Sequence, residues 1–337
     1  MTRTKIAILG GSGYTAVELM KILLRHPHAE IVAVTSRDRV SVSEYHPVLS
    51  GRLDMMCEPF DAEALAAKGV QCAFGCLPHG TSMESIPPLL KAGIRVVDLS
   101  ADYRLKNAHM YNHWYNEPHI DPANLEHAVY GLPELNADAI RTATLVANPG
   151  CYPQTAILGL APLMEHQLVN LDSIIVDSKS GVSGAGREPK KATHFPECNE
   201  SVSAYAIGTH RHTPEIDQAL SILAGYPVSV LFTPHLVPMD RGIFSTIYAN
   251  PTKPLTEAGL LALYRDYYSG KPYVRVRTSL PATKDVAHTN FLDLCPKLVR
   301  GRVLVLAAED NLIRGASGVA VQNFNLMFGY PETTALG

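Results

Sequence analysis

Short apolar runs alternate with helical patterns in the first half of the chain. Strands are predicted at 5–9, 30–35, 70–74, 94–98 and 145–147, and helices at 15–25 and 81–92. These strands are apolar almost throughout, so neither of their faces is expected to meet water. Such strands, spaced by helices, are typical of a parallel sheet that is covered on both sides. The first half is therefore predicted to be an α/β domain.

The pattern changes at about residue 148. Helices are still predicted at 154–164 and 256–268, but the strands become longer and alternate between apolar and polar positions. These strands are predicted at 173–178, 228–234, 242–249, 273–277 and 302–307. Alternation indicates a half-buried, largely antiparallel sheet, and with few helices it predicts an α+β domain. A last helix, rich in small residues, is predicted at 312–327.

We therefore expect two domains, one made of 1–147 with 312–337 and the other of 148–311. A chain of 337 residues is long enough for both cores. Its composition is 46% hydrophobic and 18% charged, and its net charge is −3, with no basic run. This balance favours neither nucleic acid nor an anionic membrane as a partner. No apolar stretch approaches the roughly 18 residues of a membrane helix.

The cysteines lie far apart in the sequence, at 57, 72, 76, 151, 198 and 295. Several of them stand in apolar, strand-like segments. This distribution indicates the reduced thiols of a cytoplasmic enzyme rather than a disulfide framework.

A glycine-rich loop follows the first strand, with the sequence Gly11-Ser12-Gly13-Tyr14-Thr15-Ala16. Glycines there allow a tight turn and let the backbone approach a pyrophosphate, while the next helix offers free N–H groups. This strand, loop and helix predict a Rossmann-type dinucleotide-binding domain. A glycine-rich turn without a ligand is the alternative.

The end of the second strand bears on which dinucleotide is bound. NAD enzymes usually carry Asp or Glu there to bind the ribose 2′-OH. In this chain the strand ends with Thr35-Ser36-Arg37, and Asp38 comes one step later. Ser36 and Arg37 suit a 2′-phosphate, so NADP is predicted; an ordinary surface cation is the alternative for Arg37.

Cys151 lies in Asn148-Pro149-Gly150-Cys151-Tyr152-Pro153, where a strand ends and a helix begins. Gly150 permits a sharp turn, and Pro153 suits a first helical turn. The dipole and unpaired N–H groups at a helix N-terminus stabilise a thiolate, and they can also bind an oxyanion. Cys151 is therefore predicted to be a nucleophile, with a buried structural cysteine as the alternative.

Two histidines, His210 and His212, flank Arg211. On an extended segment both rings would face one way and Arg211 the other. Imidazole suits a base for the thiol and a proton donor for an oxyanion. Half of a zinc site and solvated histidines are the alternatives, but no nearby Cys, Asp or His completes a metal set, and no metal is predicted.

Two further segments have ligand-binding character. The second glycine-rich loop, at 180–187, follows a strand and suits close backbone approach to a ligand, although a plain mobile loop has the same composition. Arg104 follows the strand at 94–98, near the edge where open α/β sheets bind ligands. It suits a phosphate; a salt bridge to Asp98 or Asp102 is the alternative.

Together these motifs resemble the semialdehyde dehydrogenase superfamily. The matching segments occur in family order over almost the whole chain, at 10–15, 98–104, 149–153, 180–187, 210–216 and 309–312. Two residues depart from the family pattern. Ala16 stands where Gly is commoner, which is sterically acceptable, and Gln154 stands where Thr is commoner, which puts a first-turn hydroxyl in doubt.

The resemblance implies NADPH-dependent reduction of N-acetyl-L-glutamyl 5-phosphate to N-acetyl-L-glutamate 5-semialdehyde and phosphate, in arginine biosynthesis, through a thioester on Cys151. By position, His210 matches the acid–base residue, and Arg104 the phosphate-binding arginine. His212 and Glu215 match residues that support substrate binding, and Asn311 one that contacts nicotinamide. The implied cofactor-binding residues are Gly11, Ser12, Gly13, Tyr14, Thr15, Ser36, Arg37, Ser183, Gly184, Gly186 and Asn311.

We also expect a homo-oligomer, a dimer or a tetramer, assembled through 148–311. Two other functions are compatible with the motifs. One is an aspartate-semialdehyde dehydrogenase, which performs the same chemistry on a shorter substrate. The other is a non-catalytic NADPH-binding redox sensor in which Cys151 is merely oxidised.

Overall fold

The computed structural model describes residues 3–337. The chain divides into two compact units. The first unit contains the residues up to Pro149 together with Ala316–Gly337, and the second contains Gly150–Gly315. No helix within 3–337 is both long and apolar enough to cross a bilayer.

The first unit is built on a parallel sheet. Its strands are β1 (Thr4–Leu9), β2 (Ala29–Val34), β3 (Cys72–Gly75), β4 (Arg95–Asp98), β5 (Val129–Tyr130) and β6 (Leu145–Ala147). Their order is β2-β1-β3-β4-β6-β5, and every neighbouring pair is parallel. β1 and β3 are almost wholly buried, as expected for strands whose two faces are both covered.

Helices connect these strands. They are α1 (Tyr14–Leu23), α2 (Val42–Tyr45), α3 (Ala62–Ala67), α4 (Ser82–Lys91), α5 (Ala108–Tyr115), α6 (Pro122–His127) and α7 (Pro133–Thr142). Asp61, Asn107 and Asp121 cap α3, α5 and α6, because each side chain accepts a hydrogen bond from a backbone N–H of the first turn.

The second unit is built on a mixed sheet. Its strands are β7 (Ile175–Ser180), β8 (Ser203–Ala204), β9 (Leu231–Leu236), β10 (Ile243–Ala249), β11 (Val274–Val276), β12 (Leu292–Val299) and β13 (Arg302–Glu309). The order is β11-β12-β13-β10-β7-β9-β8. The pairs β11–β12 and β7–β9 are parallel and the other pairs are antiparallel, so the expected largely antiparallel sheet is confirmed.

The helices of the second unit are α8 (Cys151–Glu165), α9 (Phe195–Cys198), α10 (Thr213–Ala224), α11 (Glu257–Tyr267) and α12 (Thr283–Val286). The largest of them, α8, packs against β10 and β13 on one side and against α10 on another. A Cβ on Gly159 of α8 would lie 2.5 Å from Ile247 Cδ1, so the glycine allows close approach to the sheet. The first turn of α8 is thereby held on a rigid support.

The other face of this sheet is only partly covered. Alternate side chains of β7, β9, β10 and β13 are half-buried or exposed, and several of them are apolar. We call this set the outer face; it comprises Ile175, Asp177, Lys179, Leu231, Thr233, His235, Phe244, Thr246, Tyr248, Leu304 and Leu306.

The C-terminal segment ends in α13 (Gly318–Met327), which packs against α1 and α7 in the first unit. The predicted helix at 312–327 is not uniform, because Ile313–Ser317 forms a π-helix before α13. π-helical turns are rare and occur frequently at functional sites.

Some predicted elements were wrong or missing in the second half. From the sequence, the helix at 256–268 was the only one predicted between these strands. This was wrong, because α10 also lies among them. Its signals are Pro214 in its first turn and Gly225 as a left-handed C-cap. β12 was missed because Asp293 and Pro296 break the apolar pattern of a central strand.

Candidate active site

Cys151 is the first residue of α8, and this helix begins three residues before the predicted start at 154. Gly150 precedes it in an extended conformation, with φ −68° and ψ 156°. The N-cap residue is a glycine, which has no side chain to cap the helix, and no acidic residue lies in the first turn. The partly exposed thiol thus lies where backbone N–H groups and the helix dipole favour negative charge.

Glu215 fixes the turn that leads to this cysteine. It lies in the first turn of α10, it is 1% exposed, and its Oε1 accepts a hydrogen bond from Gly150 N at 2.8 Å. The resemblance assigned Glu215 to substrate binding. The structure places its carboxylate against the backbone of the turn that precedes Cys151.

Gly315 lies directly against Cys151. A Cβ at this position would be 2.7 Å from Cys151 Cβ and 3.0 Å from Glu309 Oε1. Glu309 ends β13 and is completely buried. Gly315 was not predicted from the sequence, because the π-helix that brings it here has no recognised sequence signature. A buried carboxylate and a bare backbone therefore border Cys151.

The two histidines do not lie on an extended segment, so that expectation was wrong. His210 and His212 belong to a turn that precedes α10, and His212 is the N-cap of this helix in a helical conformation. Their rings are nevertheless 4.9 Å apart between centroids. They meet because the chain turns, with Thr213 N bonded to His210 O at 2.9 Å. Arg211 is exposed.

The His210 ring lies among aromatic rings. Tyr152, Tyr205 and Phe232 all approach it edge to face, with centroids at 5.6, 5.4 and 5.3 Å. Burial, followed by the positive charge of Arg211, lowers the pKa of His210 to about 4. The ring is consequently neutral at neutral pH.

The hydrogen bond that His210 accepts also defines its tautomer. His212 N donates to His210 Nδ1 at 3.1 Å, so Nδ1 carries no proton in the neutral ring. The ring proton therefore resides on Nε2, which is a hydrogen-bond donor.

The loop after β7 contains the predicted residues Ser183, Gly184 and Gly186. A 3₁₀ turn spans Val182–Ala185, and Gly184 and Gly186 are exposed. Asn311 Nδ2 donates to Ser183 Oγ at 3.0 Å, and Asn311 Oδ1 accepts from Gly242 N at 2.7 Å. The Asn311 amide thus joins this loop to the start of β10.

In the first unit, the turn after β1 tolerates only glycine at its first positions. Gly10 has φ +76°, and a Cβ there would lie 2.5 Å from the backbone oxygen of Cys76. A Cβ on Gly11 would lie 2.3 Å from Val34 Cγ1. The bare backbone of this turn is therefore required by the neighbouring strands themselves.

Gly13 is the N-cap of α1, and Ser12, Tyr14 and Thr15 lie beside it at the partly exposed start of the helix. As a glycine, Gly13 has no side chain to cap α1, and the first turn of this helix contains no acidic residue. This N-terminus therefore has the electrostatic character of a phosphate site.

Arg37 is exposed just after β2, and Ser36 Oγ donates to the backbone oxygen of Asp38. Ser36 N donates to the backbone oxygen of Glu58 at 3.0 Å, which brings Glu58, a residue not considered from the sequence, to the end of β2. The Glu58 side chain forms an ion pair with Lys68, and this lowers its pKa. The negative charge of Glu58 is thus partly offset by the positive charge of Lys68.

Arg104 is buried, and two backbone carbonyls orient its guanidinium. Nε donates to Asn148 O at 2.8 Å, and Nη2 donates to Leu99 O at 2.9 Å. Asp98 and Asp102, considered as its partners from the sequence, accept hydrogen bonds from other donors, among them Ser82. Burial, followed by the charge of Asp102, raises the pKa of Asp98 to about 6.

The predicted residues thus divide between the units. The second unit brings Cys151, His210, His212 and Glu215 into one cluster, and separately joins Asn311 to the loop at 180–187. The first unit contains the glycine turn, Ser36, Arg37 and Arg104. Within residues 3–337, no group of three or more His, Cys, Asp or Glu is arranged to hold a metal ion.

Comparison with known proteins identifies the family. Residues 5–143 match the semialdehyde dehydrogenase NAD binding domain, and residues 151–311 match the semialdehyde dehydrogenase dimerisation domain. The chain is 51% identical to the N-acetyl-gamma-glutamyl-phosphate reductase of Rhodopirellula baltica, with 98% of each chain covered. It is 50% identical to that of Citrifermentans bemidjiense, covering 98% of this chain and 97% of the relative.

Solved structures share the fold at low sequence identity. Aspartate semialdehyde dehydrogenase II of Vibrio cholerae complexed with ASA superposes with a TM-score of 0.73 at 15% identity, covering 98% of this chain and 99% of that one. The Candida albicans aspartate semialdehyde dehydrogenase with NADP gives 0.74 at 12% identity, covering 97% and 99%. The chain belongs to the semialdehyde dehydrogenase family, in the branch of the N-acetyl-gamma-glutamyl-phosphate reductases.

Proposed function

We propose that this chain is a cytoplasmic enzyme of arginine biosynthesis. It reduces N-acetyl-L-glutamyl 5-phosphate to N-acetyl-L-glutamate 5-semialdehyde and phosphate, with NADPH as the reductant. The observation that carries the proposal is the position of Cys151 as the first residue of α8, directly after a glycine N-cap, in a chain about half identical to reductases of that name.

Cys151 forms the covalent intermediate. Its thiolate attacks the acyl carbon, the carbon–oxygen bond to phosphate breaks, and a thioester remains on the sulfur. The N–H groups of the first turn of α8 stabilise the thiolate before attack. Glu215 holds Gly150, and with it the direction from which the sulfur approaches the substrate.

His210 acts as a hydrogen-bond donor. Because its Nδ1 accepts from His212 N, the neutral ring presents Nε2–H to oxygen on the reacting carbon. The reduced adduct on Cys151 collapses to aldehyde and thiolate without needing a proton, so a neutral donor is sufficient. Of the two roles expected from sequence, donor and base, this geometry supports the donor.

The first unit fits NADPH. The glycine turn after β1 leaves bare backbone beside the N-terminus of α1, whose N-cap is a glycine, and this suits a pyrophosphate. Ser36 and Arg37 suit the 2′-phosphate, and in the second unit the loop that Asn311 orders suits close contact with the cofactor. When bound, NADPH supplies the hydride that reduces the acyl carbon.

Arg104 binds the substrate phosphate in this proposal. Its guanidinium is oriented by Leu99 O and Asn148 O, which removes much of the side-chain freedom that phosphate binding would otherwise cost.

We expect Arg37→Ala to reduce the preference for NADPH over NADH. The substitution removes a charged partner of the 2′-phosphate, and charged hydrogen bonds contribute about 1.5–3 kcal/mol, so the loss should be about tenfold or more. The measurement is kcat/KM with each cofactor, and Arg39→Ala, an exposed arginine two residues on, is the matched control. Equal efficiency with NADH in the parent enzyme would contradict the NADP assignment.

A substrate panel tests the function itself. The enzyme is assayed in the oxidative direction with phosphate, NADP⁺ and either N-acetylglutamate semialdehyde or aspartate semialdehyde. We expect turnover with the first aldehyde and little with the second. The reverse preference would favour aspartate-semialdehyde dehydrogenase, and no phosphate-dependent reduction of NADP⁺ with either would favour a redox sensor.

We further propose that the enzyme is a homodimer formed through the outer face of the second unit, within the region that matches a dimerisation domain. Apolar side chains such as Leu304, Leu306 and Phe244 surround a polar group there. In this group Asp177 pairs with Lys179 at 2.9 Å and with His235 at 3.2 Å. A sheet face of this composition suits an identical face.

Leu304→Lys should therefore convert the dimer to a monomer, because it would bury an unpaired charge in the interface. Light scattering during size-exclusion chromatography measures the molar mass, and Arg265→Ala, at an exposed position on α11, which packs against α8, is the control. A monomeric parent protein, or a dimeric Leu304→Lys variant, would place the interface elsewhere.

A further inference from the structure

Gln154 is a buried amide that the fold does not use. It is 0% exposed, and neither Oε1 nor Nε2 has a hydrogen-bond partner among the described residues. Buried polar groups in proteins are almost always paired, so each exception requires an explanation.

The neighbouring residue on α8, Thr155, is a buried polar residue whose hydroxyl is hydrogen-bonded. Thr155 is equally buried, but its Oγ1 donates to Tyr152 O at 2.9 Å and lies 2.7 Å from Ser245 Oγ. Ser245 Oγ in turn lies 2.7 Å from Ser178 Oγ. This part of the helix can therefore satisfy a polar side chain, and it does so for Thr155 and not for Gln154.

The position of Gln154 indicates what its partner is. It lies three residues after Cys151, so the two side chains share one face of α8, about one turn apart. Side chains of a helix lean toward its N-terminus, which directs the carboxamide of Gln154 toward the level of Cys151. A substrate attached to the Cys151 sulfur would place the atoms around its acyl carbon at this same level of the helix.

We infer that the Gln154 amide binds the oxygen of the acyl carbon that is attached to Cys151. This inference rests on the proposed function, and it makes Gln154 a catalytic residue in addition to His210. Nε2–H donates to the oxygen as negative charge develops on it, both when the thiolate attacks and when the thioester is reduced. The amide is unpaired without substrate because its partner belongs to the substrate.

The test compares the parent enzyme with Gln154→Met, which keeps the length of the side chain and removes the amide. We expect kcat to fall by about 10²- to 10³-fold, the typical effect of removing one donor to an oxyanion. KM should change little, because the interaction strengthens only as charge develops. The melting temperature should stay the same or rise, because the variant no longer buries an unpaired amide.

Gln322→Met is the matched control. Gln322 is also fully buried, but its Nε2 donates to Glu332 Oε1 at 2.6 Å. This variant should lower the melting temperature and leave kcat unchanged. The opposite signs of the two changes in melting temperature distinguish an amide that binds the substrate from an amide that stabilises the fold.

Gln154→Glu provides a second variant of nearly the same shape. It removes the donor and places an acceptor at the oxygen, so its kcat should fall at least as far as that of Gln154→Met. A Gln154→Met enzyme with nearly parental kcat would overturn the inference, as would a marked loss of stability or a failure to fold in both variants. Turnover of N-acetylglutamyl phosphate by the parent enzyme is measured first. If the parent enzyme does not turn over, both the proposed function and this inference are wrong. If the parent enzyme and the Gln154→Met variant are both active, only this inference is wrong.

Discussion

Replacing Cys151 by serine should abolish turnover while preserving the fold and the binding of NADPH. Serine is nearly isosteric with cysteine, so α8 and its contact with Gly315 should be retained. A serine hydroxyl stays protonated near neutral pH, whereas a thiol at a helix N-terminus is substantially thiolate. Loss of the nucleophile should lower kcat by on the order of 10⁴-fold or more.

Cys198→Ser is the control for this experiment. Cys198 lies in the same unit and is also partly exposed, but it ends the short helix α9 and has no helix N-terminus to stabilise its thiolate. This variant should retain parental turnover, and NADPH binding measured by fluorescence should be unchanged in both. Retained activity in Cys151→Ser would favour direct reduction of the acyl phosphate and would contradict the thioester route.

Replacing His210 by asparagine should lower kcat by about 10²- to 10⁴-fold, the usual contribution of a positioned proton-transfer or donor group. His210→Gln should recover part of this loss, because the amide nitrogen of glutamine can replace Nε2–H as a donor. If His210 were instead a base for the thiol, glutamine would be as poor a replacement as asparagine. If His212→Asn shows the loss and His210→Asn does not, the donor is His212.

The pH dependence provides an independent readout of His210. Its pKa in the folded enzyme is about 4. The ionisation of His210 should therefore cause no change in kcat/KM between about pH 5.5 and 8. The unfolded state binds a proton at this histidine near pH 6.5 and the folded state does so only near pH 4, so stability is lost as the pH falls through this window.

His210→Asn should therefore lose less stability than the parent between pH 6.5 and pH 4, as measured by urea unfolding at each pH. A kcat/KM limb near pH 6.5 that disappears in His210→Asn would show that the ring ionises during catalysis, and would contradict the neutral donor.

Local sequence signals were sufficient for the elements that surround Cys151. Gly150 before it and Pro153 after it predict a turn followed by a helix start, and the structure places the cysteine first in α8. The strand, glycine turn and helix of β1 and α1 were predicted for the same reason. Their residues are adjacent in the chain, so short-range sterics fix their arrangement.

Contacts between distant residues could not be predicted in this way. The bond between Glu215 and Gly150 spans 65 residues, and Gly315 reaches Cys151 only through a π-helix. The histidine pair was assigned to an extended segment because alternating residues suggest a strand. Pro214 was the available sign that a helix starts there instead.

The missing partner of Gln154 is a further property that sequence does not reveal, because satisfaction of a buried amide depends on every element packed around it. At the level of sequence, Gln154 was only a departure from a commoner threonine.

Mass spectrometry of enzyme incubated with N-acetylglutamyl phosphate in the absence of NADPH would reveal the thioester on Cys151 itself. We expect release of about one phosphate per active site and an N-acetylglutamyl increment on the Cys151 peptide. Hydroxylamine should remove this increment, and NADPH should convert it to free semialdehyde. An unmodified Cys151 in an enzyme that turns over, or an increment on a different cysteine, would show that the reaction does not pass through a thioester on Cys151.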